Sequence, residues 1–329
     1  MSLPYEIQLK KQSNRLGWIL TAMIGIIWFS SFLIYGLSNL LAFTTGEKPR
    51  IMISAILESF LYMCAFLLPA VLYYILPHRN ACQPIGFSFR LIEKFPCVLL
   101  AFLGINLGMS FLNSLFCQTV GLEQETEALA SHIQNPEIML LYMTISLAPA
   151  FAEEILFRGV IYTNLRPYGK NMAILGSAVL FGFMHMNVSQ FLYTTMAGVM
   201  LAVLYEMTGS VWSGVLIHMC NNLYSIIQTV IAIRLPSAKG TAVSYLVQAL
   251  VIFGSIISIV ILWYDRQKKA SRLQATEDTV PQGFLGYRQI RPSWQVDTEI
   301  PLRRGLFLTF TTPGMVIFTI LALAIMMIQ

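Results

Sequence analysis

The sequence predicts an all-α fold, a polytopic transmembrane helix bundle of eight or nine spans. Three observations carry this expectation. Hydrophobic residues make up 56% of the 329-residue chain and charged residues only 11%, with a mean hydropathy of +0.67, whereas soluble domains carry roughly 25% charged residues. Apolar stretches near the ~20 residues that a helix needs to cross a bilayer recur along the chain. Lys and Arg are distributed unevenly between the intervening segments.

Taken in order, residues 1–15 form a polar N-terminus expected on the cytoplasmic side. The apolar segment that follows shows no small-residue cleavage site and is expected to be a retained helix rather than a signal peptide. Apolar runs at 16–43, 51–76 and 97–117 make an N-terminal group of transmembrane helices within 16–137. Runs at 138–162, 171–187, 190–206 and 210–232 make a core over 138–232. The two middle runs are short and divided only by Asn187-Val188-Ser189, so a bent pair or partly re-entrant segments are both open. The C-terminal part, 233–329, holds runs at 242–264 and 306–328 joined by a polar loop, 265–305, with Pro281, Pro292 and Pro301. A cytoplasmic N-terminus leaves only Lys48, Arg50, Arg234 and Lys239 outside, and it places the acidic stretch 121–127 outside as well. The net charge of +5 then belongs to cytoplasmic loops. No basic stripe with interleaved aromatics argues for a nucleic-acid partner; the expected surroundings are the lipid bilayer. The five cysteines form no CxxC pair and read as small buried hydrophobes. Glu206, ahead of Met207-Thr208-Gly209, reads as a solvated helix end.

Three short patterns in different apolar segments carry the chemistry. The first is Glu153-Glu154-Ile155-Leu156-Phe157-Arg158. A charge near a bilayer centre costs at least ~2.5–3.5 kcal/mol, so two adjacent acids there need partners. Arg158 lies one helical turn after Glu154 and shares its face. Glu153 is rotated by about 100°. Glu154 is therefore the neutralised, structural acid and Glu153 the candidate general base. The second pattern, Phe181-Gly182-Phe183-Met184-His185, adds an imidazole able to hold a water beside a carboxylate. The third, His218-Met219-Cys220-Asn221-Asn222, puts an imidazole and an amide on one face, the donors that a developing oxyanion requires. Counted at 1.5 Å per residue, Glu153 and His218 lie roughly 12–14 Å deep, but His185 lies about 21 Å deep unless its helix begins above the membrane plane.

In this order and spacing, Glu-Glu-x-x-x-Arg, Phe-x-x-x-His and His-x-x-x-Asn resemble the CAAX prenyl endopeptidase and bacteriocin-processing (CPBP, or Abi) family of intramembrane proteases, over about 140–232. The resemblance implies a glutamate-dependent endopeptidase of a membrane-associated protein or peptide, in a bacterial cell membrane, with roles in protein maturation or bacteriocin self-immunity. It implies that Glu153 and His185 activate the hydrolytic water, that His218 and Asn222 stabilise the oxyanion, and that Glu154 and Arg158 shape the site or contact substrate. No cofactor is expected. A zinc-dependent version is the nearest alternative, since two His and a Glu can bind zinc, although no HExxH lies on one helix. From a different class, intramembrane acids also serve proton-coupled transporters, and a non-catalytic membrane scaffold is a further alternative.

Overall fold

The computed structural model describes residues 2–75, 84–121, 147–235, 237–277 and 300–328. Among them every regular element is helical. In chain order these are α1 (Ser2–Thr44), α2 (Glu47–Ile75), α3 (Phe95–Val120) and α4 (Leu147–Glu154), then a π-helical stretch (Ile155–Tyr162) and short turns through Tyr168. There follow α5 (Lys170–Met184), α6 (Val188–Thr208), α7 (Val211–Arg234), α8 (Ser237–Glu277), α9 (Leu302–Phe310) and α10 (Pro313–Ile328).

Six of these helices are long and apolar enough to cross a membrane, and α9 with α10 makes a seventh if the bent pair counts as one span. An expected count of eight or nine is compatible with this, because α5 is apolar but only 15 residues long and the first part of the 138–162 run lies outside the described residues. The acidic stretch beyond residue 121 and residues 278–299 of the expected polar loop lie outside them too.

Several expectations change. The 306–328 run is not one straight helix. It bends by 78° between α9 and α10, where Pro313 opens the second piece; proline lacks the N–H that a continuing helix would use but fits a first helical position. Residues 2–15 are the opening turns of α1, with Leu9, Gln12 and Ser13 buried, rather than a free polar tail. Residues 265–277, expected to open a polar loop, are instead helical, because α8 runs on past its apolar part to Glu277. Asp265 and Lys269 on that extension engage Lys94 and Glu93 ahead of α3. Glu206 is not a solvated end: Arg166 donates to both its oxygens at 2.8 Å, and Tyr162 and Lys170 join it.

Lipid tails are as apolar as leucine, so helix association here rests on close packing and polar contacts. Phe32, Phe43, Phe111 and Phe253 face outward. The seams use small residues. Gly17 on α1 lies so close to α10 that a Cβ there would sit 2.2 Å from the Met315 backbone nitrogen. Gly198 on α6 packs on Ala178 of α5, where an added Cβ would lie 3.0 Å from the Ala178 Cα. α8 lies along α3, which in turn contacts α6.

An irregular strap, residues 84–94, crosses the start of α7. Val211 N donates to Gly86 O at 3.0 Å and Trp212 Nε1 to Phe87 O at 2.9 Å. Ser210 Oγ donates to Ser88 O at 2.7 Å and Ser213 Oγ to Arg90 O at 2.6 Å. The carbonyls of the strap thus satisfy donors clustered at the head of the helix, where a backbone N–H has no partner within the helix itself.

The α1–α10 seam is open to a direct check. Gly17→Leu is expected to force the two backbones apart and to destabilise the detergent-solubilised protein by at least the ~1–3 kcal/mol of an overpacked core, read as a lowered thermal unfolding midpoint.

Candidate active site

α4 packs against α2 on one side and α7 on the other, and it ends on the paired acids. Both are buried: Glu153 is 5% exposed and Glu154 0%. The helical rotation between neighbours sends them in different directions. Glu154 Oε1 accepts from Arg158 Nη1 at 2.7 Å, within the same element, and from His218 Nδ1 on α7 at 3.1 Å. Glu153 turns toward α2, where Tyr62 Oη donates to its Oε1 at 2.7 Å. Its Oε2 lies 3.8 Å from His218 Nε2, beyond a direct hydrogen bond, and has no partner among the described residues. The two ring nitrogens of His218 therefore each face one of the two acids.

Protonation states follow from donors and acceptors. A carboxylate oxygen accepts, so His218 Nδ1 donates to Glu154 and Nε2 is the nitrogen turned toward Glu153. His185, at the end of α5, contacts the Phe181 carbonyl through Nδ1 at 2.9 Å. A carbonyl also only accepts, so Nδ1 donates and the neutral ring presents its lone pair at Nε2.

Arg158 is 1% exposed. Beyond Glu154 it donates from Nη2 to the Gly198 carbonyl at 3.1 Å, and its guanidinium lies over the Phe181 ring, 4.7 Å from the centroid. Phe181 thus sits at the centre of the cluster. Its ring meets His185 at 4.9 Å and His218 at 5.8 Å, edge-on in both cases. The depth mismatch expected for His185 does not keep it from the cluster, since the same ring contacts the imidazoles of α5 and α7.

Immediately after Glu154 the helix widens into the π-helical stretch, a form that appears frequently at functional sites. Thr163 Oγ1 closes it by donating to the Arg158 carbonyl five residues back, at 2.7 Å. Asn222 is half-buried one turn beyond His218 on the continuous helix α7.

The structure thus brings Glu153, Glu154, Arg158, His185 and His218 of the sequence patterns into one cluster, and adds three supporting residues that the patterns miss. Tyr62 is one aromatic in an apolar run. Gly214 leaves room for Glu154: a Cβ there would lie 2.7 Å from Oε2. Asn106 on α3 donates to Asn221 Oδ1 at 2.8 Å, beside Asn222; an amide within an apolar span was the available signal. Among the described residues, no three His, Cys, Asp or Glu side chains are grouped so as to hold a metal ion.

Residues 135–224 match the model of the type II CAAX prenyl endopeptidase Rce1-like family. This CPBP-like segment makes up about a quarter of the chain. A curated relative from Bacillus subtilis (strain 168), named "Putative membrane peptidase YdiL", is 31% identical over 119 residues, 35% of this chain. The chain spans about half of that relative's length, 47%. No solved structure matches significantly. With several long apolar helices around this CPBP-like segment, the chain is an integral membrane protein. Glu153, Glu154, Arg158, His185, His218 and Asn222 all fall inside the matched segment, whereas Tyr62 and Asn106 come from helices before it.

A buried ion pair that loses one partner leaves an uncompensated charge. Arg158→Met is therefore expected to cost about 3–5 kcal/mol of stability, measured by thermal unfolding of the purified protein in detergent. Arg158→Lys is expected to recover only part of this, since a lysine cannot both pair with Glu154 and reach the Gly198 carbonyl as a planar fork.

Proposed function

We propose that the chain is an intramembrane endopeptidase that hydrolyses a peptide bond of a membrane-associated protein or peptide with a water activated by Glu153. The observation that carries this reading is the free Oε2 of Glu153, buried beside His218 Nε2 while its other oxygen is occupied. The match to an endopeptidase family over 135–224 supports it.

In this reading, a water donates one proton toward Glu153 Oε2 and the other toward the lone pair of His185 Nε2, leaving the oxygen's own lone pairs directed at the substrate carbonyl. Glu153 takes the proton as the C–O bond forms. The carbonyl oxygen becomes an oxyanion. His218, doubly protonated and held through Nδ1 by Glu154, donates to it from Nε2, and the Asn222 amide donates from one turn away. Glu153 then returns its proton to the amine nitrogen as the C–N bond breaks, which restores the carboxylate. Glu154 and Arg158 hold His218 and the helix in place. Every step uses side chains of the CPBP segment and needs neither a serine nor a cysteine nucleophile.

The family likeness supports protein maturation or bacteriocin self-immunity as the cellular role. The position of the basic loops supports a cytoplasmic N-terminus and a site reached from that side.

Glu153→Gln keeps the shape and removes the base. It is expected to lower cleavage at least ~100-fold, seen as the loss of specific processed ends when membrane proteomes of wild type and variant are compared. Activity of the purified protein is expected to survive a strong chelator. Full cleavage by Glu153→Gln would overturn the reading, and proton flux through liposomes that requires Glu153 without any cleavage would favour a transporter.

A further inference from the structure

Glu153 takes its best hydrogen bond from a helix outside the CPBP segment. Tyr62 lies on α2, and its phenol O–H donates to Glu153 Oε1 at 2.7 Å. The ring is not free to swing away. It packs on Phe66, one turn along the same helix, with centroids 4.6 Å apart, and Phe66 is fully buried in the core. α2 itself is packed along α1 and against α4.

We infer that Tyr62 is the positioning residue of Glu153, and that it determines which carboxylate oxygen takes the proton. This rests on the reading of Glu153 as the base. A glutamate's terminal torsion is broad and roughly two-fold, so an unrestrained carboxylate presents either oxygen at variable angles. The phenol ends that freedom. Oε1 is occupied, and Oε2 is left without a protein partner on the side of His218. Tyr62 also disperses charge on a buried acid whose neighbour already holds the guanidinium. A hydrogen bond from a neutral donor to a carboxylate is among the stronger ones in proteins, and it leaves Oε2 unprotonated and available. A base held by a supporting side chain is what keeps a reacting geometry within the narrow tolerance that catalysis needs. The CPBP segment alone therefore lacks one part of its site, and α2 supplies it.

Tyr62→Phe deletes the hydroxyl and keeps the ring on Phe66. On the membrane protein whose processed end disappears in Glu153→Gln, the purified full-length variant is expected to lose about 10- to 100-fold in kcat, the range for removing one hydrogen bond to a charged group. KM and the unfolding midpoint are expected to be unchanged, because Tyr62 touches the base and not the substrate. A second arm needs no cleavage. Dicyclohexylcarbodiimide reacts with buried carboxyl groups, and its adducts on Glu153 and Glu154 are counted by peptide mass spectrometry. Without the phenol both oxygens of Glu153 are open to the reagent, so its labelling rises severalfold in Tyr62→Phe while Glu154 labels as in wild type. Tyr245→Phe, on the outward face of α8, serves as the unaffected control. Wild-type kcat together with wild-type Glu153 labelling in Tyr62→Phe overturns the inference, and so does a lost kcat that merely follows a lowered unfolding midpoint. If Glu153→Gln cleaves normally, the peptidase reading fails, and the labelling arm still decides whether Tyr62 holds the carboxylate.

Discussion

Two carboxylates and a single guanidinium, all closed off from water, set the terms for the rest of this molecule. Charges in such surroundings persist only when they are paired and hydrogen-bonded. Arg158 is committed to Glu154 and to a backbone carbonyl, so it cannot also neutralise Glu153. The structure distributes the burden. An imidazole sits between the acids with one nitrogen toward each, and a phenol caps the second acid from another helix. The outcome is an asymmetric pair in its donors: Glu154 Oε1 takes a guanidinium and an imidazole, Glu153 Oε1 a single phenol, and each acid keeps a buried Oε2 without a hydrogen-bond partner among the described residues.

That asymmetry requires helices to approach from several directions, which explains the arrangement around α4. α2 brings Tyr62, α7 brings His218, α6 lends the Gly198 carbonyl and α5 the Phe181 ring. Small residues make the approach possible. Gly214 sits against Glu154, and Gly198 lets α6 close on α5. A larger residue at either place would move a helix and with it a polar partner. The packing seams and the chemistry are thus the same set of contacts seen from two sides.

Much of this was legible in the residues. Hydropathy located the long helices, because a span needs about 20 apolar residues whatever it packs against. Spacing located the Glu154–Arg158 pair, since residues four apart on a helix are neighbours. The rest depended on contacts distant in the chain. Tyr62 is 91 residues from Glu153, and nothing local distinguishes it from other aromatics in apolar runs. The Glu154 contact of His218 bridges 64 residues, so the four-residue step to Asn222 was visible where the link to Glu154 was not. The 15-residue α5 and the bend at Pro313 show the limit of hydropathy as well: it reports that a stretch avoids water, not that it runs straight across a bilayer.

The strap over the head of α7 bears on how the cluster keeps its register. Four hydrogen bonds from Ser210, Val211, Trp212 and Ser213 anchor that helix end to residues 86–90. A piston-like slide of α7 along its own axis would break all four together while dragging His218 off both acids. Sideways parting of a neighbouring helix breaks none of them. The latch therefore fixes α7 along its own axis, and with it the height of the imidazole between the two acids.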